Sequence, residues 1–253
     1  MIRSTSRPPP RRATTSTAGV RHGLARVISK RGYCSRSQAA ELVRAGRVQL
    51  NDRLERDPEA PTRSDDRIRI DGSDIAAAAP VWLMLNKPRG YVTTASDERG
   101  RDTVYALIET AGLPWLAPVG RLDKASEGLL LFTNDSAAAA RLTAPESHVD
   151  KSYHVQINRV PDAVLLTRLR DGVDDAGERL AAKSVSVLRA GEKNAWLQIV
   201  LDEGRNRQIR RLLAAHGIEV LRLLRVAIGG LQLGDLPKGG WRVLSAADLA
   251  KLG

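Results

Sequence analysis

A short alanine-rich segment, residues 75–80 (IAAAAP), separates two stretches of this chain that differ in pattern. Before it, short helical and strand patterns follow one another over about fifty residues. After it, the apolar strand VWLMLN opens a longer region of mixed strands and helices. We therefore predict a small domain at residues 24–74, a linker at 75–80 and a larger domain at 81–253.

The first 23 residues contain five arginines and no acidic residue, which predicts a disordered basic tail. An organelle transit peptide is the alternative, because such peptides are also rich in Arg, Ser and Thr. The run Pro8–Pro10 opposes the amphipathic helix that a transit peptide needs. The single cysteine, Cys34, fits a reducing compartment, so we expect a cytoplasmic protein.

The charge of the chain favours a polyanionic partner. Forty Lys and Arg against 29 Asp and Glu give a net charge of +11, and residues 1–80 carry 16 basic against nine acidic residues. Nucleic acid and an anionic membrane surface both fit this charge. The longest apolar run, residues 75–85, is far shorter than the roughly 20 residues of a membrane-spanning helix.

The small domain is predicted to contain two helices and a small sheet. LARVISKRG and SRSQAAELVRAGRV have helical spacing, Ser35 is suited to cap the second helix, and VQLN and RIRIDG alternate as strands. Spacing alone does not decide whether its basic side binds RNA or is only a solvated face. The basic residues of that side are Lys30, Arg31, Arg36, Arg44 and Arg47.

In the larger domain, strands outnumber helices and show no repeating strand–helix–strand rhythm. This pattern predicts an α+β fold around a mixed, largely antiparallel central sheet flanked by helices. We expect YVTT (91–94) to be one of the strands and the segment around TVYALI to be a helix.

Several chemistries lack their sequence signatures. We find no phosphate-binding loop, no dinucleotide-binding glycine pattern, no zinc-protease motif and no nucleophile elbow. The four histidines lack ligand spacing, and one cysteine cannot form a cysteine-rich zinc site. We therefore expect neither a cofactor nor a metal.

Candidate site residues occur in three separate segments. PVGRLDKASEGLLLFTND (118–135) places charged side chains against a buried-looking apolar run. A helix predicted at 205–216 would turn Arg207 and Arg211 outward and leave Arg210 at the border, best placed to pair with a carboxylate. Tyr153 shares a strand face with apolar residues, so both core packing and stacking on a base fit it. For the helix, an ordinary amphipathic helix with a solvated basic face is the alternative.

These segments, together with NKPRGYVTT (86–94), KSYHVQI (151–157) and EGRNRQIRRLL (203–213), resemble the motifs of RsuA/RluB-type ribosomal RNA pseudouridine synthases. Residues 24–72 resemble the small RNA-binding domain named after ribosomal protein S4. The resemblance covers about residues 24–245 and implies the pseudouridine synthase fold behind an S4-like domain.

The resemblance also implies roles for individual residues. Asp123 would be the catalytic carboxylate, Tyr153 would stack on the target base, and Arg210 would pair with Asp123. In the larger domain, the residues implied to bind RNA are Lys87, Arg121, Arg205, Asn206, Arg207, Gln208 and Arg211. In the S4-like domain, they are the five basic residues named above.

The implied activity is conversion of a uridine in ribosomal RNA to pseudouridine by a monomeric enzyme without a cofactor. The carboxylate would act as nucleophile or as base, and both routes stay open. The S4-like domain and the loop from Thr94 to Thr103 favour large-subunit RNA, with small-subunit RNA as the alternative. Free ribosomal RNA and ribosome assembly intermediates are both expected partners. A non-enzymatic RNA-binding or ribosome-assembly protein is the other class considered.

Overall fold

The computed structural model describes residues 21–95, 97 and 99–252. Most of the predicted basic tail therefore lies outside the described residues. None of the helices in this part of the chain is both long enough and apolar enough to cross a membrane.

The N-terminal unit contains two helices and two small sheets. Ser35 begins the second helix with a reciprocal cap: its Oγ accepts from the Gln38 amide at 3.2 Å, and Gln38 Oε1 accepts from the Ser35 amide at 3.1 Å. Its elements are β1 (His22–Gly23), α1 (Leu24–Lys30), α2 (Arg36–Arg44), β2 (Val48–Leu50), β3 (Arg53–Glu55), β4 (Pro61–Thr62), β5 (Ile68–Ile70) and β6 (Ser73–Asp74). The strand order of the larger sheet is β3-β2-β5-β6, and β1 pairs with β4.

The second unit is built on a nine-stranded sheet. Seven strands run in the order β13-β14-β10-β15-β9-β7-β17, with β16 beside β15 and β8 beside β9. The strands are β7 (Trp82–Lys87), β8 (Ala117–Val119), β9 (Glu127–Thr133), β10 (Lys151–Ile157), β13 (Ser184–Ala190), β14 (Ala195–Leu201), β15 (Val220–Ile228), β16 (Leu231–Gln232) and β17 (Trp241–Val243). Only the β9–β15 pairing among these is parallel, so the predicted mixed, largely antiparallel sheet is confirmed.

Helices and a separate hairpin flank this sheet. They are α3 (Ser136–Thr143), α4 (Ala163–Asp171), the hairpin β11 (Val173–Asp175) and β12 (Glu178–Leu180), α5 (Gln208–Ala214) and α6 (Ala246–Leu249). Three short 3₁₀ turns lie at Val104–Leu107, Glu109–Ala111 and Pro145–Ser147. The expected helix at TVYALI is thus only a 3₁₀ turn, and YVTT forms an isolated bridge between Val92 and Thr103 instead of a strand.

The strand β9 is buried on both faces. Leu129 and Leu131 pack into one apolar cluster, whereas Leu130 and Phe132 pack into another on the opposite side. Each fully buried side chain of this size contributes roughly 1.5–3 kcal/mol. Because both faces are packed, β9 is a rigid support for the turn that precedes it.

The two units touch where the first helical pair ends. The Trp115 amide donates to the Gly32 carbonyl at 2.8 Å, and the Ala78 amide donates to the Arg31 carbonyl at 3.1 Å. Gly32 has φ +78°, and a Cβ there would lie 3.0 Å from Pro114 Cβ. This close approach favours glycine at the contact.

Candidate active site

Asp123 lies in the turn between β8 and β9, which neighbouring segments hold from several sides. The Ser126 amide donates to the Asp123 carbonyl at 2.9 Å, and the Gly90 amide donates to the Lys124 carbonyl at 2.9 Å. Thr93 Oγ1 donates to the Leu122 carbonyl at 2.8 Å. The turn is therefore fixed to the segment after β7, and the position of the Asp123 side chain is defined before any ligand binds.

Lys87, at the end of β7, is the main internal support of this turn. Its Nζ donates to the carbonyls of Ser126 at 2.8 Å, Asp123 at 3.1 Å and Pro88 at 3.1 Å. The residue is fully buried, and burial lowers the pKa of its ammonium to about 8 in spite of the charges of Asp123 and Glu127. The prediction that Lys87 binds RNA is therefore wrong, because this side chain is enclosed under the turn.

Glu127, the first residue of β9, is a buried carboxylate that the sequence analysis did not single out as a site residue. It accepts hydrogen bonds from Arg222 Nη2 at 3.0 Å and Lys238 Nζ at 2.9 Å. Burial alone would raise the pKa of Glu127, but the hydrogen bonds from these two cations outweigh it and lower the pKa. Its position immediately after the charged turn was the available sequence signal.

The ion pair of Asp123 differs from the predicted one. Asp123 Oδ2 accepts from Arg207 Nη1 at 3.2 Å, whereas Arg210 donates to the carbonyls of Ala125 and Val220, both at 3.3 Å. Arg207 has a left-handed backbone with φ 49°, so α5 begins at Gln208 and Arg207 belongs to the preceding loop. The predicted pairing of Arg210 with Asp123 is not formed, and Arg207 does not face away from the site.

Arg210 nevertheless supports the same turn. Its bond to the Ala125 carbonyl joins α5 to the segment that carries Asp123. Burial and the charge of Arg207 lower the pKa of Arg210, while Asp123 opposes that shift. Asp123 therefore lies between an exposed arginine that pairs with it and a half-buried arginine that holds its backbone.

Two other predicted RNA-binding residues of this segment have internal partners. Arg211 pairs with Asp175 and Glu178 of the β11–β12 region, each at 2.5 Å, so its prediction as an outward-facing RNA contact is wrong. Gln208 is buried and donates to the Ala181 carbonyl at 3.1 Å, which likewise contradicts its prediction as an RNA contact. The polar hairpin that supplies both acids had no clear strand pattern in the sequence.

The remaining residues of the segment are accessible. Arg205 is paired with Glu203 at 2.8 Å but keeps about a third of its side chain exposed, and Asn206 and Arg207 are exposed. Exposed ion pairs contribute little free energy, so RNA phosphates can compete for these arginines.

A cavity of about 540 Å³ lies beside the Asp123 turn. Asp123, Arg121 and Tyr153 all line it. Tyr153 also belongs to the apolar core and is 9% exposed, so the core and cavity interpretations both apply to it. The other lining residues include Leu142, Pro145, Lys151, Leu201, Glu203, Arg205, Arg207, Ile209, Arg210, Leu223 and Arg225.

The basic residues of the N-terminal unit fall into two groups. Arg31 is used internally, because its guanidinium donates to the carbonyls of Ile75 at 2.8 Å, Ser64 at 3.0 Å and Asp66 at 2.5 Å, and burial lowers its pKa. Its prediction as an RNA contact is therefore wrong. The others lie at the surface: Arg44 is exposed, Arg36 pairs with Glu59, Arg47 pairs with Asp71, and half-buried Lys30 contacts His22.

Among the described residues, no group of three or more His, Cys, Asp or Glu side chains is arranged to hold a metal ion. Burial raises the pKa of the Cys34 thiol to about 11. That shift makes Cys34 a poor nucleophile.

With this geometry described, comparisons with known proteins identify the class. Residues 81–215 match the RNA pseudouridylate synthase family, and residues 23–68 match the S4 domain family. The chain therefore belongs to the RNA pseudouridylate synthase family, and it is an RNA pseudouridine synthase with an S4 RNA-binding domain. The resemblance and fold class inferred from sequence are confirmed.

Individual relatives support this assignment. Ribosomal large subunit pseudouridine synthase B of Bacillus subtilis (strain 168) is 33% identical over 90% of this chain and 94% of that protein. The protein of the same name from Shigella flexneri is 37% identical over 89% of this chain and 80% of its own length. A crystal structure of a pseudouridylate synthase matches 93% of this chain and 100% of that chain, with 28% identity and a TM-score of 0.63.

The two arginines near Asp123 are expected to affect the reaction differently. Arg207→Gln should raise KM for RNA several-fold with a smaller effect on kcat, because Arg207 is exposed and available to phosphates. Arg210→Gln should mainly lower kcat, by about 10- to 100-fold, because it releases the Ala125 carbonyl and loosens the turn. Steady-state kinetics of the two variants measure this difference. A lower kcat for Arg207→Gln with unchanged Arg210→Gln kinetics would contradict the assignment.

Proposed function

We propose that this enzyme converts a uridine of large-subunit ribosomal RNA to pseudouridine, with Asp123 as its carboxylate and without a cofactor. The observation that carries the proposal is the single cavity lined by Asp123, Tyr153 and Arg121. The names of the Bacillus and Shigella relatives support large-subunit RNA as the substrate.

The proposed reaction needs side chains of these types. The bond between N1 of uracil and C1′ of ribose must break, and C1′ must then bond to C5 of the turned base. Because no net oxidation or hydrolysis occurs, the rearrangement requires no electron acceptor and consumes no water. Asp123 either adds to C1′ or removes a proton from the sugar, and both routes need its carboxylate beside the ribose.

Tyr153 is suited to hold the base in the cavity. A uridine that leaves its stack loses a few kcal/mol, and stacking on an aromatic ring returns roughly 1–3 kcal/mol. The ring of Tyr153 is fixed by packing against the core, so it offers a stacking surface at little entropic cost. Arg121, exposed at the same cavity, is placed to contact the RNA backbone.

The S4 domain is proposed to supply part of the RNA affinity through its exposed arginines. Replacing Arg36, Arg44 and Arg47 together with Gln should reduce the slope of log affinity against log salt by about 2–3, since each lost phosphate contact removes roughly 0.7–0.9. Filter binding over a range of salt concentrations measures the slope. A matched variant changes the exposed Arg159, Arg168 and Arg170 of the catalytic domain. An equal or larger reduction in that control would contradict the assigned surface.

The proposed function is tested with purified protein and unmodified transcripts of both ribosomal RNAs. Pseudouridines are detected as carbodiimide adducts that stop reverse transcription. We expect a new stop in large-subunit RNA. A stop only in small-subunit RNA would move the substrate to the other subunit, and no stop in either RNA, their fragments or assembly intermediates would contradict the proposal.

A further inference from the structure

Arg225 is a second arginine of the cavity that neither the motifs nor the family assignment identifies. It lies on β15 directly across from Tyr153 on β10 and lines the same cavity. Leu223, two residues earlier on the strand, lines it as well, so both side chains belong to the cavity face of the sheet. Only 6% of Arg225 is exposed.

The hydrogen bonds of Arg225 are incomplete. Its Nε donates to the Leu129 carbonyl at 2.7 Å, but its buried Nη2 has no acceptor among the described residues. In that same set of residues, no carboxylate is close enough to form an ion pair with it. A buried guanidinium without a counter-charge is costly unless a ligand completes its bonding.

A second donor of this cavity shows the same deficit. The Nε of Arg210, which also lines the cavity, is buried and has no acceptor among the described residues. Lys151 adds a further cation to the wall, and burial together with the charge of Arg225 lowers its pKa. The cavity therefore favours a ligand that brings acceptor oxygens and negative charge.

The base of the target nucleotide has these properties. Uracil carries two carbonyl oxygens, and when the N1–C1′ bond breaks the base leaves with the electron pair of that bond. The negative charge then spreads over N1 and the two carbonyl oxygens. A fixed cationic donor beside one of these oxygens binds the departing base more tightly than the intact nucleotide, which accelerates bond cleavage.

We propose that Arg225 donates a hydrogen bond to a carbonyl oxygen of the target uracil and stabilises the base as it departs with the electron pair. C5 then bonds to C1′, the proton on C5 is lost, and N1 gains a proton. This inference rests on the proposed function. It adds a catalytic contact on the wall opposite the turn that carries Asp123.

The experiment compares oxygen and sulfur at the two carbonyl positions. RNA fragments carry uridine, 2-thiouridine or 4-thiouridine at the target position found with wild-type protein. Sulfur is a weaker hydrogen-bond acceptor than oxygen, so one thio substitution should slow the wild-type single-turnover reaction. Arg225→Met should slow the uridine reaction by about 10- to 100-fold but should slow the sensitive thio substrate less than about threefold, because the lost bond is already weak there.

Two further variants control for structural effects. Arg225→Lys keeps the charge and can still reach the Leu129 carbonyl, so it should fold and show an intermediate sulfur effect. Arg222→Lys changes an arginine of the same strand that pairs with Glu127. It should keep the wild-type ratio of oxygen to sulfur rates, whatever its own rate.

Several results would overturn the inference. They are a wild-type sulfur effect below about threefold at both positions, or an equal slowing by Arg225→Met on all three substrates. If neither Arg225 variant folds, the wild-type sulfur effect alone decides, and a tenfold effect at one position supports the contact. Absence of pseudouridine with wild-type protein and uridine RNA would instead contradict the proposed function, so the two failures are distinct.

Discussion

Replacing Asp123 with Asn is expected to lower the rate of pseudouridine formation by at least about 10⁴-fold, because the amide can neither add to C1′ nor accept a proton from the sugar. The substitution preserves shape, and the Asn oxygen can still accept from Arg207. The side chain is about one-third exposed, so we expect the free energy of unfolding to change by less than about 1 kcal/mol. Single-turnover assays on the mapped RNA fragment measure the rate.

The control is Asp235→Asn, which removes the charge of an exposed aspartate outside the cavity. Its rate should stay within a factor of two of wild type. RNA affinity should remain within about threefold in both variants. If Asp123→Asn retains more than a tenth of the wild-type rate, Asp123 is not the reacting carboxylate and another group of the cavity must be sought.

Replacing Lys87 with Met is expected to damage both stability and activity. The change leaves the carbonyls of Pro88, Asp123 and Ser126 without their buried donor. We expect a loss of about 2–4 kcal/mol in the free energy of unfolding and at least a 100-fold loss of activity, because the turn that holds Asp123 is no longer fixed. Urea unfolding and the same single-turnover assay measure the two effects.

Lys124→Met is the matched control, because Lys124 lies in the same turn with its side chain exposed. It should cost less than about 0.5 kcal/mol. If Lys87→Met instead leaves stability unchanged and only flattens the salt dependence of RNA binding, Lys87 contacts RNA as the sequence first indicated.

The low pKa of Lys87 also predicts a dependence on pH. Its pKa is about 8 in the folded protein but about 10.4 in an unfolded chain, so the unfolded state binds more protons between these values. The contribution of Lys87 to the free energy of unfolding therefore rises with pH through that window. Activity should fall as pH rises through about 8, since a neutral amine has only two donors for three carbonyls. This alkaline decline should be absent from the residual activity of Lys87→Met.

Sequence patterns predicted the parts of the fold that depend on apolar periodicity. The long strands β7, β9, β10, β14 and β15 and the capped helix after Ser35 occur where predicted. The hairpin β11–β12 was missed because its strands, VDD and ERL, are mostly polar and short. YVTT has strand-forming residues but pairs with another segment only at Val92, so tertiary packing overrode its propensity.

The errors at the site have a different cause. A 100° rotation per residue was applied from Arg205, but the helix begins at Gln208 because Arg207 is left-handed. That backbone choice exchanged the expected positions of Arg207 and Arg210 around Asp123. For Lys87, Arg31 and Arg211, the residue type indicated a surface cation, and only the three-dimensional structure shows the carbonyls and carboxylates that bind them internally.

The most direct test of the central proposal, that Asp123 isomerises a ribosomal RNA uridine, is a complete map of ribosomal RNA pseudouridines in a strain lacking this gene. The account predicts the loss of a pseudouridine from large-subunit RNA, restored by the wild-type gene and not by a gene carrying Asp123→Asn. An unchanged map in the deletion strain, or restoration by Asp123→Asn, would contradict it.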